Sequence, residues 1–357
     1  MHISTRHPDA TLVLEAQAES LASDLAARLV RPALGRRSID AETDRIARLL
    51  AQARTAASLR RRALGRGPHR KGSMEEAEAH RLKDLHRRFA IWRAIIDALR
   101  QIERRATFPL LPRPRDVLDP RAGIDAIADI MFTRAHRAVN PVPQAAGSAA
   151  HGCFADIPTR VSLFLEIAHL AYRLLLARCH DGPMRFLDVG CGGGIKVALA
   201  SGLFEIADGI EFDPGYAETA RRTLPLMRAQ GSRIFECDAL GFDKYAQYDV
   251  IYLYRPMRDD DLLRQLEGHI LAQVRPGTII LAPYQTIEAH GDQLRRIAES
   301  VYAAGISAKE ADLLARRARR IGPHIVHPSR EIPNQTGWLA PLWKACEANG
   351  FDPAAWE

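Results

Sequence analysis

The chain has 357 residues, 47% of them apolar and 6% aromatic, which fits a globular fold of one or two domains. No stretch reaches the roughly 18 consecutive apolar residues of a membrane span, and the N-terminal stretch lacks the apolar core of a signal peptide, so a cytoplasmic protein with no membrane partner is expected. The formal net charge is +7, and it is uneven: residues 1–110 hold 22 Lys and Arg against 13 Asp and Glu.

Residues 10–60 read as helix. Leu14, Leu21, Leu25 and Leu29 form one stripe, interrupted near Pro32 and Gly35. A second helix is expected after Ser38, with Ile46, Leu49 and Leu50 turned inward. RRRALGRGPHRKG at 60–72 is a basic linker. Such a run attracts nucleic-acid phosphates or an acidic protein surface, or is simply a solvated loop. No aromatic residue interleaves with it, which weakens a base-stacking mode. Over 74–105, Leu82, Leu85, Phe89, Trp92, Ile96 and Leu99 alternate spacings of three and four. That is a long amphipathic helix whose seam packs on 10–60 or forms a homodimer. FPLLPRPRDVLDP (108–120) reads as a stiff connector, 125–139 as a short helix, and the small-residue stretch 140–152 as a boundary. The expected domains are a basic helical region, 1–150, and a second domain, 151–357, with a helical C-terminal extension.

A helix at 159–180 leads into FLDVGCGGGIKVALA (186–200). There an apolar strand ends at Asp188, Gly190, Gly192 and Gly194 alternate, and a helix begins. Glycines let backbone approach a ligand, and a helix start favours a carboxylate or phosphate. The spacing is not the dinucleotide pattern G-x-G-x-x-G, whose third glycine would fall at Ile195. ADGIEFDP (207–214) reads as a second strand ending at Glu211, and RIFECDAL (233–240) as a third with Asp238 after it. YDVIYLYRPM (248–257) and GTIILAP (277–283) are two further strands, separated by the helical pattern 259–274. This alternation gives an α/β fold, a doubly wound and mostly parallel sheet, preceded by the α-helical region. Beyond it, 298–320 reads as largely helical with a turn at Gly305, GPHIVHP (322–328) as a late strand, and 338–351 as a terminal helix closed by Asn349 and Gly350.

The run D-x-G-x-G-x-G, with acids at the two following strand ends, resembles the first motifs of class I (Rossmann-like) S-adenosylmethionine-dependent methyltransferases. The resemblance covers roughly 155–330. It implies S-adenosylmethionine as cofactor, lying over the backbone of Gly190, Cys191, Gly192 and Gly194. It implies that Asp188 helps to hold the ammonium end, Glu211 the ribose hydroxyls and Asp238 the adenine amino group, next to Ala239, with Phe212 on the adenine face. Read without the resemblance, Glu211 is a solvated acid, Asp238 a helix cap, Phe212 a core residue and Cys191 a small side chain in a tight turn.

In such enzymes the acceptor enters beyond the fourth strand, here YLYRPM (252–257). Tyr254 is the candidate catalytic residue, able to orient a nucleophile. Tyr252 alternates with it on the same strand face, and Arg255 suits an acidic substrate group. The [ND]-P-P-[YF] stretch of amino-group methyltransferases is absent, since Tyr254-Arg255-Pro256-Met257 stands there. His324 and His327 are candidate bases if the late segment folds over the site. The five scattered cysteines have no metal-ligand spacing, so no metal is expected. The acceptor stays open among a protein side chain, RNA and a small molecule. The alternative from another class is a catalytically silent cofactor-binding scaffold. An aminopropyltransferase lacks the acids a polyamine needs, and the glycine spacing speaks against a nicotinamide enzyme.

Overall fold

A computed structural model describes residues 10–30, 39–64, 73–104, 107–112, 119–140, 143–229, 231–284, 286–326 and 330–356. Three long helices come first: α1 (Ala10–Val30), α2 (Asp40–Leu64) and α3 (Met74–Glu103). Then follow α4 (Pro120–Val139), α5 (Ala146–Ala150) and α6 (Val161–Ala177). The α/β run is β1 (Arg185–Val189), α7 (Ile195–Ala200), β2 (Ile206–Glu211), α8 (Pro214–Leu226), β3 (Ile234–Glu236), β4 (Val250–Leu253), α9 (Asp260–Gln273) and β5 (Ile279–Leu281). A hairpin of β6 (Leu294–Ala298) and β7 (Val301–Ala304), then α10 (Ala308–Ala318) and α11 (Ala340–Ala348), complete the chain.

These elements form two compact units. The first joins residues 1–107 to 320–326 and 330–357; the second is 108–319 with 327–329. The boundary expected at 150 therefore falls near 107, and the C-terminal segment groups with the N-terminal helices.

In the first unit α1 packs on α2 and on α11, through Ala22, Leu25 and Leu29 on one side and Leu342 and Trp343 on the other, all buried. The stripe expected on α1 is thus real at its C-terminal half. On α3 the buried set is Leu82, Leu85, Ile91, Ala94, Ile95, Ala98 and Leu99, while Phe89, Trp92 and Ile96 are half-buried. Ser73 caps α3 by accepting from the Glu76 backbone N–H. Asn349 donates its side-chain amide to Leu29 O at 3.1 Å, and Gly350, with φ 73°, turns the chain out of α11. The segment 322–326, expected as a strand, is irregular: His324 N donates to Gly350 O and Gly322 N to Asn349 O. Ser38 and most of the basic linker, 65–72, lie outside the described residues.

The second unit is a seven-stranded sheet in the order β3-β2-β1-β4-β5-β7-β6. β1 to β5 are parallel; β7 runs antiparallel between β5 and β6. Strands buried on both faces read as continuous apolar runs, as β4 (VIYL) and β5 (IIL) do. The stretch 301–304 was expected to be helical but is β7. A turn at Glu299-Ser300, with Ser300 at φ 61°, pairs it with β6, and the helix begins only at the capping box of Ser307 and Glu310. Arg173 on α6 is buried and donates to Pro109 O and Ala318 O, each at 2.8 Å. The start of the proline-rich connector is thereby stitched to the α/β unit, where Phe108 N also donates to Arg319 O.

Candidate active site

The order reverses at β1, whose neighbours β2 and β4 continue in opposite directions across the sheet. Ligand sites in open α/β sheets form at such a reversal, beyond the carboxyl ends of the strands. A cleft of about 660 Å³, including the open solvent at its mouth, lies there. The glycine turn, the ends of β2 and β3, the loop after β4 and a strap at 153–157 line it.

The turn is tight. Gly190 has φ 76°, and a Cβ on it would stand 2.9 Å from the Pro256 Cβ. Gly192 has φ 53°, and a Cβ there would overlap the Asp156 carboxylate. Only glycine suits both backbones. The N–H groups of Gly190 and Cys191 donate to Ile210 O. The next two donate to carboxylates: Gly192 to Glu211 Oε2 at 2.8 Å and Gly193 to Asp156 Oδ2 at 2.9 Å. The donors expected to face a ligand are thus occupied by the chain's own acids. Gly194 starts α7 at φ 79° and packs against Ala220, outside the cleft lining. Cys191 is buried with its Sγ turned under the turn toward Gly209, and burial holds its thiol well above the usual range.

Asp188 is 1% exposed and sits beneath the turn rather than in the cleft wall. Its Oδ2 has no hydrogen-bond partner among the described residues. Burial pushes its carboxyl up to about 7; the Lys196 amine opposes this and Asp156 adds to it. Glu211 lines the cleft and accepts from the backbone N–H groups of Gly192 and Asp213 at 2.8 Å each. Burial pushes it up to about 7, against those two bonds.

Phe212, Asp238 and Ala239 line the far end. Phe212 stacks on His151, centroids 4.3 Å apart. Asp238 does two things: Oδ1 caps the next turn by accepting from Leu240 N, and Oδ2 lies 3.1 Å from His151 Nε2. At the near end Tyr254 is 36% exposed and lines the cleft with Arg255. Tyr252 does not line it. That side chain is 1% exposed, edge-on to Phe164 at 5.2 Å, because the chain leaves strand geometry after Leu253 and the alternation with Tyr254 ends. His324 is in the first unit and accepts from Asp352 N through Nδ1; burial lowers its pKa. His327 lies outside the described residues.

Three lining residues carry no motif signature. Asp156 is held by Asn140 Nδ2 at 2.6 Å and lies 3.4 Å from His136 Nε2. Lys196, on α7, is the cation at the turn. Phe154 hydrogen-bonds through its N–H to Pro256 O. No local pattern announces Asp156, since its partners Asn140 and Gly193 lie 16 and 37 positions away.

The sheet order, with its antiparallel last hairpin, is that of the class I methyltransferase fold. The model of the protein-L-isoaspartate(D-aspartate) O-methyltransferase family matches residues 153–302, less than half of the chain. No curated protein matches the sequence. Among solved structures, an RNA methyltransferase from Salinibacter ruber in complex with S-adenosyl-L-homocysteine is similar at 20% identity, over 42% of this chain and 91% of that one, with a TM-score of 0.33. The amino pentose methyltransferase CalS10 of Micromonospora echinaspora is 23% identical over 40% of this chain, TM-score 0.29; the match spans 58% of CalS10, little more than half its length. The N-methyltransferase NodS of Bradyrhizobium japonicum WM9 is 14% identical, over 41% of this chain and 97% of that one, TM-score 0.31. Their names carry RNA, an amino pentose and an unspecified nitrogen, and none transfers to this chain at such similarity. Among the described residues no helix is long and apolar enough to cross a membrane, and no group of three or more His, Cys, Asp or Glu is placed to hold a metal.

Proposed function

We propose that this cleft binds S-adenosylmethionine and that the protein transfers its methyl group to an acceptor entering past Tyr254 and Arg255. The observation that carries the reading is the row of acids along one wall, Glu211 buried and Asp156 and Asp238 partly so. Asp156, Glu211 and Asp238 line it, with Asp188 beneath and an orphaned oxygen there. A ligand with an ammonium, a sulfonium, a ribose diol and an adenine amino group answers that donor-poor, acceptor-rich surface.

Glu211 keeps acceptor capacity beyond its two backbone bonds and would hold the ribose hydroxyls. Asp238 Oδ2 would take the adenine amino group in place of His151, with Phe212 and Ala239 against the base. Asp188 and Asp156 would hold the ammonium, and Lys196 the carboxylate. When bound, the cofactor supplies an electrophilic methyl for direct displacement. The protein's part is to orient the nucleophile, for which the Tyr254 hydroxyl is placed, and to exclude water. Pro256 and Met257 and the strap 153–157 form the walls that do so.

A cytoplasmic location and a macromolecular acceptor are part of the same proposal. The exposed arginines of α2, Arg45, Arg48, Arg54, Arg61 and Arg62, would dock a nucleic acid or an acidic protein surface, with the rest of the basic linker. The test is incubation of the pure protein with labelled S-adenosylmethionine and cell extract, followed by mass spectrometry of the labelled fraction. Label in a defined acceptor supports the reading. Tight cofactor binding with no transfer to any fraction would make the chain a scaffold.

A further inference from the structure

We propose that Arg255 and Arg258 form an oxyanion subsite at the acceptor end of the cleft, so that the methyl acceptor carries a carboxylate or phosphate beside the atom that is methylated. The inference rests on reading the cleft as a methyltransferase site and names the acceptor chemistry which that reading leaves open.

Four observations converge on Arg255. First, it is the second residue after β4 and lines the cleft, on the other side of β1 from Asp238, which follows β3. Second, its backbone is left-handed, φ 44°, a conformation that a long side chain adopts rarely and at a cost. Such outliers persist where the surroundings enforce them, and they gather at functional sites. Third, its guanidinium is half used: one Nη donates to Asp260 at 2.6 Å, while Nε is buried without a hydrogen-bond partner among the described residues. A buried N–H without an acceptor is costly unless a ligand supplies one. Fourth, the guanidinium carbons of Arg255 and Arg258 each lie 5.8 Å from the centroid of the Phe154 ring, itself part of the cleft wall. Arg258 does not itself line the cleft and donates to Gln144 Oε1 at 3.4 Å, but it shares the Phe154 ring with Arg255 just behind the wall.

The charge layout gives the sign. Along the cleft the acids Asp156, Glu211 and Asp238 belong to the turn and the nucleoside end, with Lys196 at the turn. Arg255 is the one other cation among the described lining residues, and it marks the opposite end. An arginine fork matches carboxylate or phosphate oxygens in pairs, which an ammonium does not. The structural alternative is that Arg255 only steadies the start of α9 through Asp260. That role would be indifferent to added anions.

The experiment titrates the full-length protein, with and without saturating S-adenosylhomocysteine, with inorganic phosphate and separately with acetate, read by NMR and calorimetry. The variants are R255Q, R255K and R258Q. One anion is expected to bind in the millimolar range, weakened tenfold or more by R255Q and severalfold by R258Q, with partial recovery in R255K. The preferred anion tells phosphate from carboxylate. S-adenosylhomocysteine affinity, measured in the same samples, should stay within twofold in all variants, which also shows that they are folded. Anion binding that R255Q leaves unchanged, or no binding of either anion to the wild type, overturns the subsite. Failure of wild-type protein to bind S-adenosylhomocysteine overturns the cofactor reading instead, and the anion titration without it still decides the subsite.

Discussion

At the scale of single residues, the site stores unfavourable charge. Asp188 and Glu211 both titrate near 7 because burial penalises their ionised forms. Both pKa values are raised above those of an unfolded chain. The stability tied to them is therefore fully present below the ordinary carboxyl range and is lost as pH rises through 7. The ligand-free protein should melt at a lower temperature at about pH 8 than at about pH 5.5, as far as these groups decide it. S-adenosylmethionine, with its ammonium and sulfonium, favours the ionised acids. Its affinity should thus rise over the same interval, with proton release visible in calorimetry across buffers of different ionisation enthalpy. Asp188→Asn should flatten both profiles. A slope unchanged in that variant would show that Asp188 does not face the cofactor. Glu211→Gln keeps the shape and removes the charge, and should weaken cofactor binding by about 1–3 kcal/mol, the scale of a charged hydrogen bond.

At the scale of elements, the strap at 153–157 walls one side of the cleft at the carboxyl ends of the central strands. Cys153 bridges to Met257, Arg258 N donates to Gly152 O, and Asp156 reaches Gly193. The glycine turn and the strap are therefore one device, and Gly192→Ala should break both. The new Cβ meets the Asp156 carboxylate, and the left-handed backbone costs a further ~1–2 kcal/mol. The expected result is at least tenfold weaker S-adenosylmethionine binding with a lowered melting temperature; an unaffected Kd would mean the strap does not hold the ligand. The turn was readable in the sequence because its chemistry is local: glycine spacing and the acids at two strand ends all follow from chain order. Asp156 and Lys196 were not, since their roles depend on partners brought in by folding. The hairpin was missed for another reason. Val301–Ala304 sits among alanines and arginines, which favour helix, and only burial between β5 and β6 makes it a strand. The segment at 322–326 erred the other way: its apolar residues suggested a strand, but its backbone is committed to Asn349 and Gly350.

At the scale of the whole molecule, the two units are held by different cores, and their sequences are interleaved at the C-terminus. The first unit is completed by residues more than 200 positions beyond its helices, a link that no local pattern announces. Trp343 is its largest fully buried side chain, with Nε1 donating to Glu347 at 2.7 Å and the Arg330 guanidinium carbon 6.0 Å from its ring centroid. Trp343→Ala should cost about 3–5 kcal/mol of that unit's stability, the range for emptying a buried aromatic site. The cleft is built wholly from residues 153–257 of the second unit. Calorimetric scanning of the variant should therefore show an earlier transition for the first unit. Saturating S-adenosylhomocysteine should raise the melting of the second by mass action, with a Kd within twofold of the wild type. Loss of cofactor affinity in step with the lost stability would mean that the cleft depends on the C-terminal segment.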